Sequence, residues 1–198
     1  MSNPPPLGPG KFYHIYNRGN NRENLFREER NYRYFLQLYT RHIEPVAETF
    51  AYCLLPNHFH LLVKIRENLT SLADQSGLSP KPSQAFSNLF NAYTKTINKA
   101  YGRSGALFKR PFQRIEVAEA AYFARLVVYI HRNPHKHGLV SDFRDWAYSS
   151  YHAHLAAAPT RLQREAVLRW FDDAENFVAV HTQTLDETLL RDLIVEFE

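Results

Sequence analysis

An α+β fold, with a central antiparallel sheet, helices packed against it and a helical extension at the C-terminus, is predicted by three features of this 198-residue sequence. Short aromatic and apolar stretches alternate with polar residues, the period of a strand. Between them lie segments whose apolar residues recur every three or four positions, the period of a helix. The two kinds follow one another as β-α-β-β-α-β-α, an order that segregates helices from an antiparallel sheet.

Residues 1–10 hold four prolines and two glycines and read as an unstructured leader. Lys11 to Tyr16 alternates and is aromatic, a strand, and the loop Asn17-Arg18-Gly19-Asn20-Asn21 follows it. Glu29 to Ile43 carries Tyr32, Phe35, Leu36 and Tyr39 at helical spacing, closed by Pro45. Thr49–Leu55 and Phe59–Ile65 are strands separated by Pro56-Asn57. Glu67 to Pro82 is polar, with Gly77 and Pro80, and reads as a loop. Ser83 to Tyr101, with Phe86, Leu89, Phe90, Tyr93 and Ile97, is a helix ended by Gly102. Leu107 to Val117 is strand-like, and Pro111 makes it an edge or a bulged strand. Glu119 to Asn133 is a helix that Pro134 terminates. Trp146 to His154 fits neither period clearly. Leu162, Val167, Leu168 and Phe171, and later Leu189, Leu190 and Leu193, mark an amphipathic extension. Three units result: a leader over 1–10, a main domain over 11–154 and an acidic helical extension over 155–198.

The chain contains one cysteine, Cys53, which excludes an internal disulfide and any multi-cysteine zinc site. Its apolar neighbours make it a small buried residue. Nowhere do about twenty apolar residues run together, so no membrane-spanning helix is expected. The N-terminus lacks the apolar core of a signal peptide, which points to the cytoplasm. The net charge is +4, unevenly placed. From Thr160 onward there are 4 basic and 9 acidic residues, against 20 basic and 11 acidic before it. A basic body attracts phosphates, and an acidic tail stays away from them.

Pro56-Asn57-His58-Phe59-His60-Leu61-Leu62-Val63 carries the strongest chemical signal. Residues two apart on a strand face the same side, so Phe59, Leu61, Val63 and Ile65 enter the core and His58 and His60 share the opposite face. Two imidazoles roughly 7 Å apart at Cα can converge on one metal ion and leave positions open for oxygen ligands. Alternation alone gives the same pattern on a solvated face, so the pair needs a partner. Leu126-Val127-Val128-Tyr129-Ile130-His131-Arg132-Asn133-Pro134 offers one. Tyr129 and Asn133 are spaced i, i+4 and share a helix face. The amide oxygen of Asn133 is a candidate third ligand, and two imidazoles with one carbonyl oxygen suit Mn²⁺ or Mg²⁺. The plainer alternatives are a packing tyrosine and a helix-capping asparagine. His131, on the same helix, points away from Tyr129.

Four blocks occur in a characteristic order: Tyr13-His14-Ile15-Tyr16-Asn17-Arg18-Gly19, Leu55-Pro56-Asn57-His58-Phe59-His60-Leu61-Leu62-Val63, Tyr129-Ile130-His131-Arg132-Asn133-Pro134 and Trp146-Ala147-Tyr148-Ser149-Ser150-Tyr151. Together they resemble the single-tyrosine transposases of the IS200 type, and within them the REP-associated tyrosine transposases. The resemblance runs from about Lys11 to His154. It implies a ferredoxin-like HUH endonuclease fold, with His58 and His60 as metal ligands, Asn133 as the third ligand and Tyr129 as the nucleophile. It implies a divalent metal, Mg²⁺ or Mn²⁺, and a single-stranded DNA substrate with a hairpin. The activity implied is nicking and joining through a 5′-phosphotyrosine; a hairpin-binding regulator that does not cleave is the alternative. His135-Lys136-His137-Gly138 departs from the more usual Val-Arg-Ala-Gly. Insertion-sequence relatives work as dimers, whereas the longer C-terminus here suits a monomer; both states remain open.

DNA contacts are sought among the basic residues. Lys95, Lys99, Arg103, Lys109, Arg110 and Arg114 occur with no acidic residue among them, interleaved with Tyr101, Phe108 and Phe112. Phosphate contacts combined with base stacking are usual for single strands; alternatively the rings are core residues and the charges a solvated edge. Arg18 and Asn20, in the loop after the first strand, are further candidates. A basic DNA-processing protein of the bacterial cytoplasm would associate with the nucleoid.

Overall fold

The computed structural model describes residues 5–69, 81–119, 121–183 and residue 188. Most of the loop expected over Glu67–Pro82 lies outside the described residues, as do Leu189, Leu190 and Leu193. Among the described residues, β1 (Phe12–Arg18), β2 (Ala47–Leu55), β3 (His58–Ile65) and β4 (Gln113–Glu116) form one antiparallel sheet in the order β2-β3-β1-β4. Helices α1 (Glu29–His42) and α2 (Pro82–Ala100) cover one face, and α3 (Ala121–Lys136) covers the other. The architecture is the α+β arrangement that the alternation predicts.

Strand alternation assigns each side chain to a face. Tyr13, Ile15, Phe59, Leu61, Val63 and Ile65 point toward α1 and α2 and pack with Phe35, Phe86, Leu89 and Tyr93. On the other side Cys53, Leu55 and Leu62 pack with Leu126, Val127 and Ile130 of α3. His14, His58 and His60 belong by period to this second face. They lie at the centre of the sheet, where β1 pairs β3 with Tyr16 opposite His60 and Arg18 opposite His58. No helix of the described residues is long and apolar enough to cross a membrane.

Three elements differ from the sequence-based expectation. The strand expected over Leu107–Val117 is regular only over Gln113–Glu116; earlier, the chain meets the end of β1 at a bridge between Gly19 and Phe108 and through Lys109 N–H, which donates to the Arg18 carbonyl. Pro111 has no N–H to donate to a ladder, and Phe108 and Phe112 turn into the α1–α2 core instead. The expected stop at Pro134 is also corrected, because α3 continues through the proline to Lys136. One turn back, Asn133 Nδ2 donates to the Tyr129 carbonyl at 2.9 Å. The helix ends where Leu139 N–H reaches back to the Pro134 carbonyl and Gly138 takes φ +66°, a conformation glycine adopts without strain. Trp146–Ser150, ambiguous in sequence, runs beside β2 and covers that edge. Leu54 N–H donates to the Tyr148 carbonyl, Ser150 N–H to the Tyr52 carbonyl and Trp146 Nε1–H to the Leu54 carbonyl.

Beyond it, α4 (Tyr151–Leu155), α5 (Arg164–Trp170) and α6 (Ala174–Thr182) pack on α3 through Tyr151, Val167, Phe171 and Phe177. At the other end Leu7 is buried, and the Tyr13 hydroxyl donates to the Pro6 carbonyl and accepts from Gly8 N–H.

One glycine is fixed by space rather than by conformation. A Cβ on Gly19 would lie 2.0 Å from the Glu23 carbonyl oxygen, a backbone atom that cannot step aside alone. Gly19→Ala is therefore expected to cost about 1–3 kcal/mol, in the range of overpacked interior sites. The urea midpoint checks this; a midpoint equal to that of the parent protein would show that the loop gives way freely.

Candidate active site

The second face of the sheet and α3 together bury a polar constellation. His58 and His60 project from the start of β3, and Tyr129 and Asn133 from successive turns of α3; all four are buried, the most exposed at 4%. The His58 and His60 ring centroids are 5.2 Å apart and nearly perpendicular. The Tyr129 ring meets the edge of His60 at 5.6 Å and that of His14 at 6.3 Å. Asn133 lies beside His58, close enough for its amide to favour a proton there. The chain thus gathers at one point the two imidazoles, the phenol and the amide.

Hydrogen bonds set the orientation of the first imidazole. His58 Nδ1 lies 2.7 Å from Asn57 Oδ1, which can only accept, so the proton sits on Nδ1 and the lone pair on Nε2. Burial first, then the positive potential of His137 and Arg18, push the His58 pKa down to about 3, outweighing the opposite pull of Asn133. Burial likewise holds His60 well below the ordinary histidine range, helped by His14, His58, His137 and Lys136. Both rings are therefore neutral, the form that ligates metals. Burial and the adjacent Tyr129 push the Tyr16 hydroxyl up to about 12.

These residues fit a divalent cation on the chemistry of their donors. Asn133 Oδ1 is buried and accepts no hydrogen bond of ordinary geometry among the described residues. It sits next to an imidazole whose remaining nitrogen also presents a lone pair. A buried amide oxygen beside a neutral imidazole is an oxygen and nitrogen donor set of the kind that Mg²⁺ or Mn²⁺ accepts. Among the described residues, no group of three His, Cys, Asp or Glu side chains is placed to hold a metal ion.

The site opens on a polar cleft of about 500 Å³ lined by Arg18, Arg22, Asn24, Asn57, His58 and His137. Lys109, Arg110 and Arg114 line a separate groove beside α2, with Asn17, Ser83 and Asn91. Lys95 is exposed on α2. The remaining basic and polar candidates have local partners. Arg103 is only 12% exposed at its side chain and pairs with Glu23 at 2.8 Å, and Asn20 Nδ2 donates to the Ala106 carbonyl. The interleaved rings are not a stacking platform: Phe108 and Phe112 are core residues, and Tyr101 donates to Glu28 and Asn31.

Three neighbours of the site carry no role in the sequence analysis. His14 contacts His60, His137 stacks edge-on against His58 at 4.8 Å, and Lys136 Nζ stands 5.4 Å from the Tyr129 ring centroid. Lys136 was recoverable in principle. It follows Tyr129 by seven residues, two helical turns on the same face, and drops out only if α3 is stopped at Pro134.

The four-stranded antiparallel sheet with its flanking helices is a fold shared with a solved REP-associated tyrosine transposase. A solved structure of one such transposase bound to a REP hairpin superposes with a TM-score of 0.59 at 20% identity, over 80% of this chain and 88% of that one. By sequence, the chain is 33% identical over 111 residues to a Haemophilus influenzae protein assigned to the same group. That match covers 56% of this chain and 62% of the relative's length. No family model matches the chain. Over part of its sequence and in its fold, then, the chain is similar to REP-associated tyrosine transposases.

Proposed function

We propose that this protein nicks and rejoins single-stranded DNA at hairpin sites, with Tyr129 as the nucleophile. The observation that carries the reading is the meeting of Tyr129, from α3, with the β3 imidazole His60 at 5.6 Å in a buried polar pocket. Three buried polar residues of the pocket, His58, His60 and Asn133, supply the ligands for Mg²⁺ or Mn²⁺. When bound, that cation polarises a non-bridging phosphoryl oxygen and helps hold the phosphate for in-line attack.

The Tyr129 oxygen then forms a bond to phosphorus as the bond from phosphorus to the 3′-oxygen breaks. The phenol proton is lost, the departing oxygen leaves as a 3′-hydroxyl, and the 5′-phosphate stays on Tyr129. Because a phosphodiester replaces a phosphodiester, a second 3′-hydroxyl reverses the step and joins strands without a nucleotide cofactor. A free phenol of pKa near 10 would need about 4 kcal/mol to ionise at pH 7, so its environment must assist. The ammonium of Lys136 stands 5.4 Å from the Tyr129 ring centroid, a positive charge beside the reacting group.

Arg18 at the cleft, with Lys109, Arg110 and Arg114 in the second groove and Lys95 on α2, track the phosphates of the substrate; Asn20 supports the loop that carries Arg18. Arg18→Ala is expected to weaken hairpin binding and to lower the slope of log affinity against log salt by about 1, the signature of one lost phosphate contact. An unchanged slope removes Arg18 from the interface.

The direct test uses labelled hairpin oligonucleotides from the host's own repeats, with Mn²⁺ or Mg²⁺. The expected product is a protein–DNA adduct that survives SDS, absent when EDTA is added. Free ends without adduct would instead mean hydrolysis by water, and binding without cleavage a regulator.

A further inference from the structure

The buried contact between His14 and His60 is not explained by packing alone. His14 lies on β1, between Leu62 of β3 and Ile115 of β4 in register, on the sheet face that it shares with His58, His60 and the apolar residues packed on α3. It is fully buried. An imidazole in such a place costs free energy unless its polar atoms are used. Its Nε2 stands 3.0 Å from His60 Nδ1, with the ring planes 25° apart.

We propose that His14 is the positioning residue for His60: it accepts the proton carried on His60 Nδ1 and so places the lone pair of that ring on Nε2. The inference rests on the metal-dependent reading above and deepens it. His58 provides the parallel. Its Nδ1 donates to Asn57 Oδ1, which leaves Nε2 as the lone-pair nitrogen. With His14 as acceptor, both imidazoles of β3 present the same nitrogen, each locked by a neighbour on its other side. A ligand ring held in this way has a fixed tautomer and a fixed plane, and outer partners of this kind are worth about 10–100-fold in metal affinity. The two locks differ in origin. Asn57 comes from the turn that precedes β3, whereas His14 comes from the adjacent strand, so the pairing of β1 with β3 itself sets the second ligand.

The test measures metal binding rather than turnover, on the full-length protein. Mn²⁺ is titrated calorimetrically into the parent protein and into the variants His14→Phe, His14→Gln and His58→Ala, with thermal melting as the check on folding. His14→Phe keeps the ring volume and removes the acceptor; it should bind Mn²⁺ about 10–100-fold more weakly. His14→Gln, whose side-chain oxygen accepts the same proton, should recover much of the loss. Nitrogen-15 correlation spectra of the metal-free parent should show His60 as the Nδ1–H tautomer, a readout that remains if His14→Phe fails to fold. Binding by His14→Phe equal to the parent, with loss in His58→Ala, would remove the positioning role alone. So would an Nε2–H tautomer of His60 in the parent. Absence of Mn²⁺ binding by the parent itself would remove the metal reading and this inference with it.

Discussion

Replacing Tyr129 by phenylalanine is expected to lower adduct formation by at least about 1,000-fold, because it removes the only atom that would bond to phosphorus. The same change should leave the protein folded. The ring stays in the cluster formed by Leu126, Val127, Ile130 and the second sheet face, and only a hydroxyl is lost, at a cost near 1 kcal/mol. Hairpin affinity should fall little if, as proposed, the phosphate contacts come from the basic residues around the cleft and in the groove. The discriminating measurement is therefore a pair: SDS-resistant adduct and equilibrium hairpin binding, on the same preparation. An adduct of undiminished yield in Tyr129→Phe would transfer the nucleophile to another side chain, and Tyr16, next to Tyr129, would be the first to examine.

The second large effect is loss of stability in acid, to which the buried His58 and His60 and a cluster on the far side of α3 contribute. A chain of hydrogen bonds runs there with every proton defined. His181 Nδ1–H donates to the Phe177 carbonyl at 2.7 Å, and that carbonyl can only accept. His181 Nε2 therefore accepts from His131 Nδ1–H at 2.8 Å, and His131 Nε2 accepts from the Ser150 hydroxyl at 2.7 Å. Ser150 Oγ in turn accepts from Tyr52 N–H of β2. The chain ties α6 to α3 and to the sheet edge, and it holds only while both imidazoles are neutral. Burial is the main cause that pushes His181 and the adjacent His154 down to about 4.

The sign follows from where each state binds protons. Above pH 6.5 these histidines are neutral folded or unfolded, and they add no pH dependence. Below it the unfolded chain takes up protons that the folded protein refuses until about pH 4, so stability falls through that window as the pH falls. Two such groups amount to about 4 kcal/mol between pH 6.5 and pH 5. Urea midpoints measured from pH 7.5 to pH 5 check this. A flat profile would mean that the cluster is hydrated and titrates normally.

Much of the site was legible because two periods suffice to place it. A period of two put His58 and His60 on one face of β3, and a turn of 3.6 residues put Tyr129 above Asn133. Neither depends on anything outside its own segment. What local pattern missed was decided by contacts between segments. Pro134 reads as a helix stop because the residue before it disfavours helical geometry; the packing of α3 on the sheet overrides that preference. Phe108 and Phe112 alternate with basic residues as a stacking surface would, yet α1 and α2 leave an apolar space that the two rings fill. Arg103 looks like any other cation of its run, until Glu23, eighty positions earlier, closes on it.

The sequence by itself determined the class of fold, the pairing of the histidines on one strand face and the turn-to-turn alignment of tyrosine and asparagine. These follow from the backbone repeat, which every residue of a strand or helix obeys whatever surrounds it. Only the tertiary structure decided that α3 lies over that strand face, that His14 meets His60 and that His131 joins His181. Such meetings depend on strand register and on which surfaces exclude water together. Both are properties of the whole chain, and no short window of it contains them.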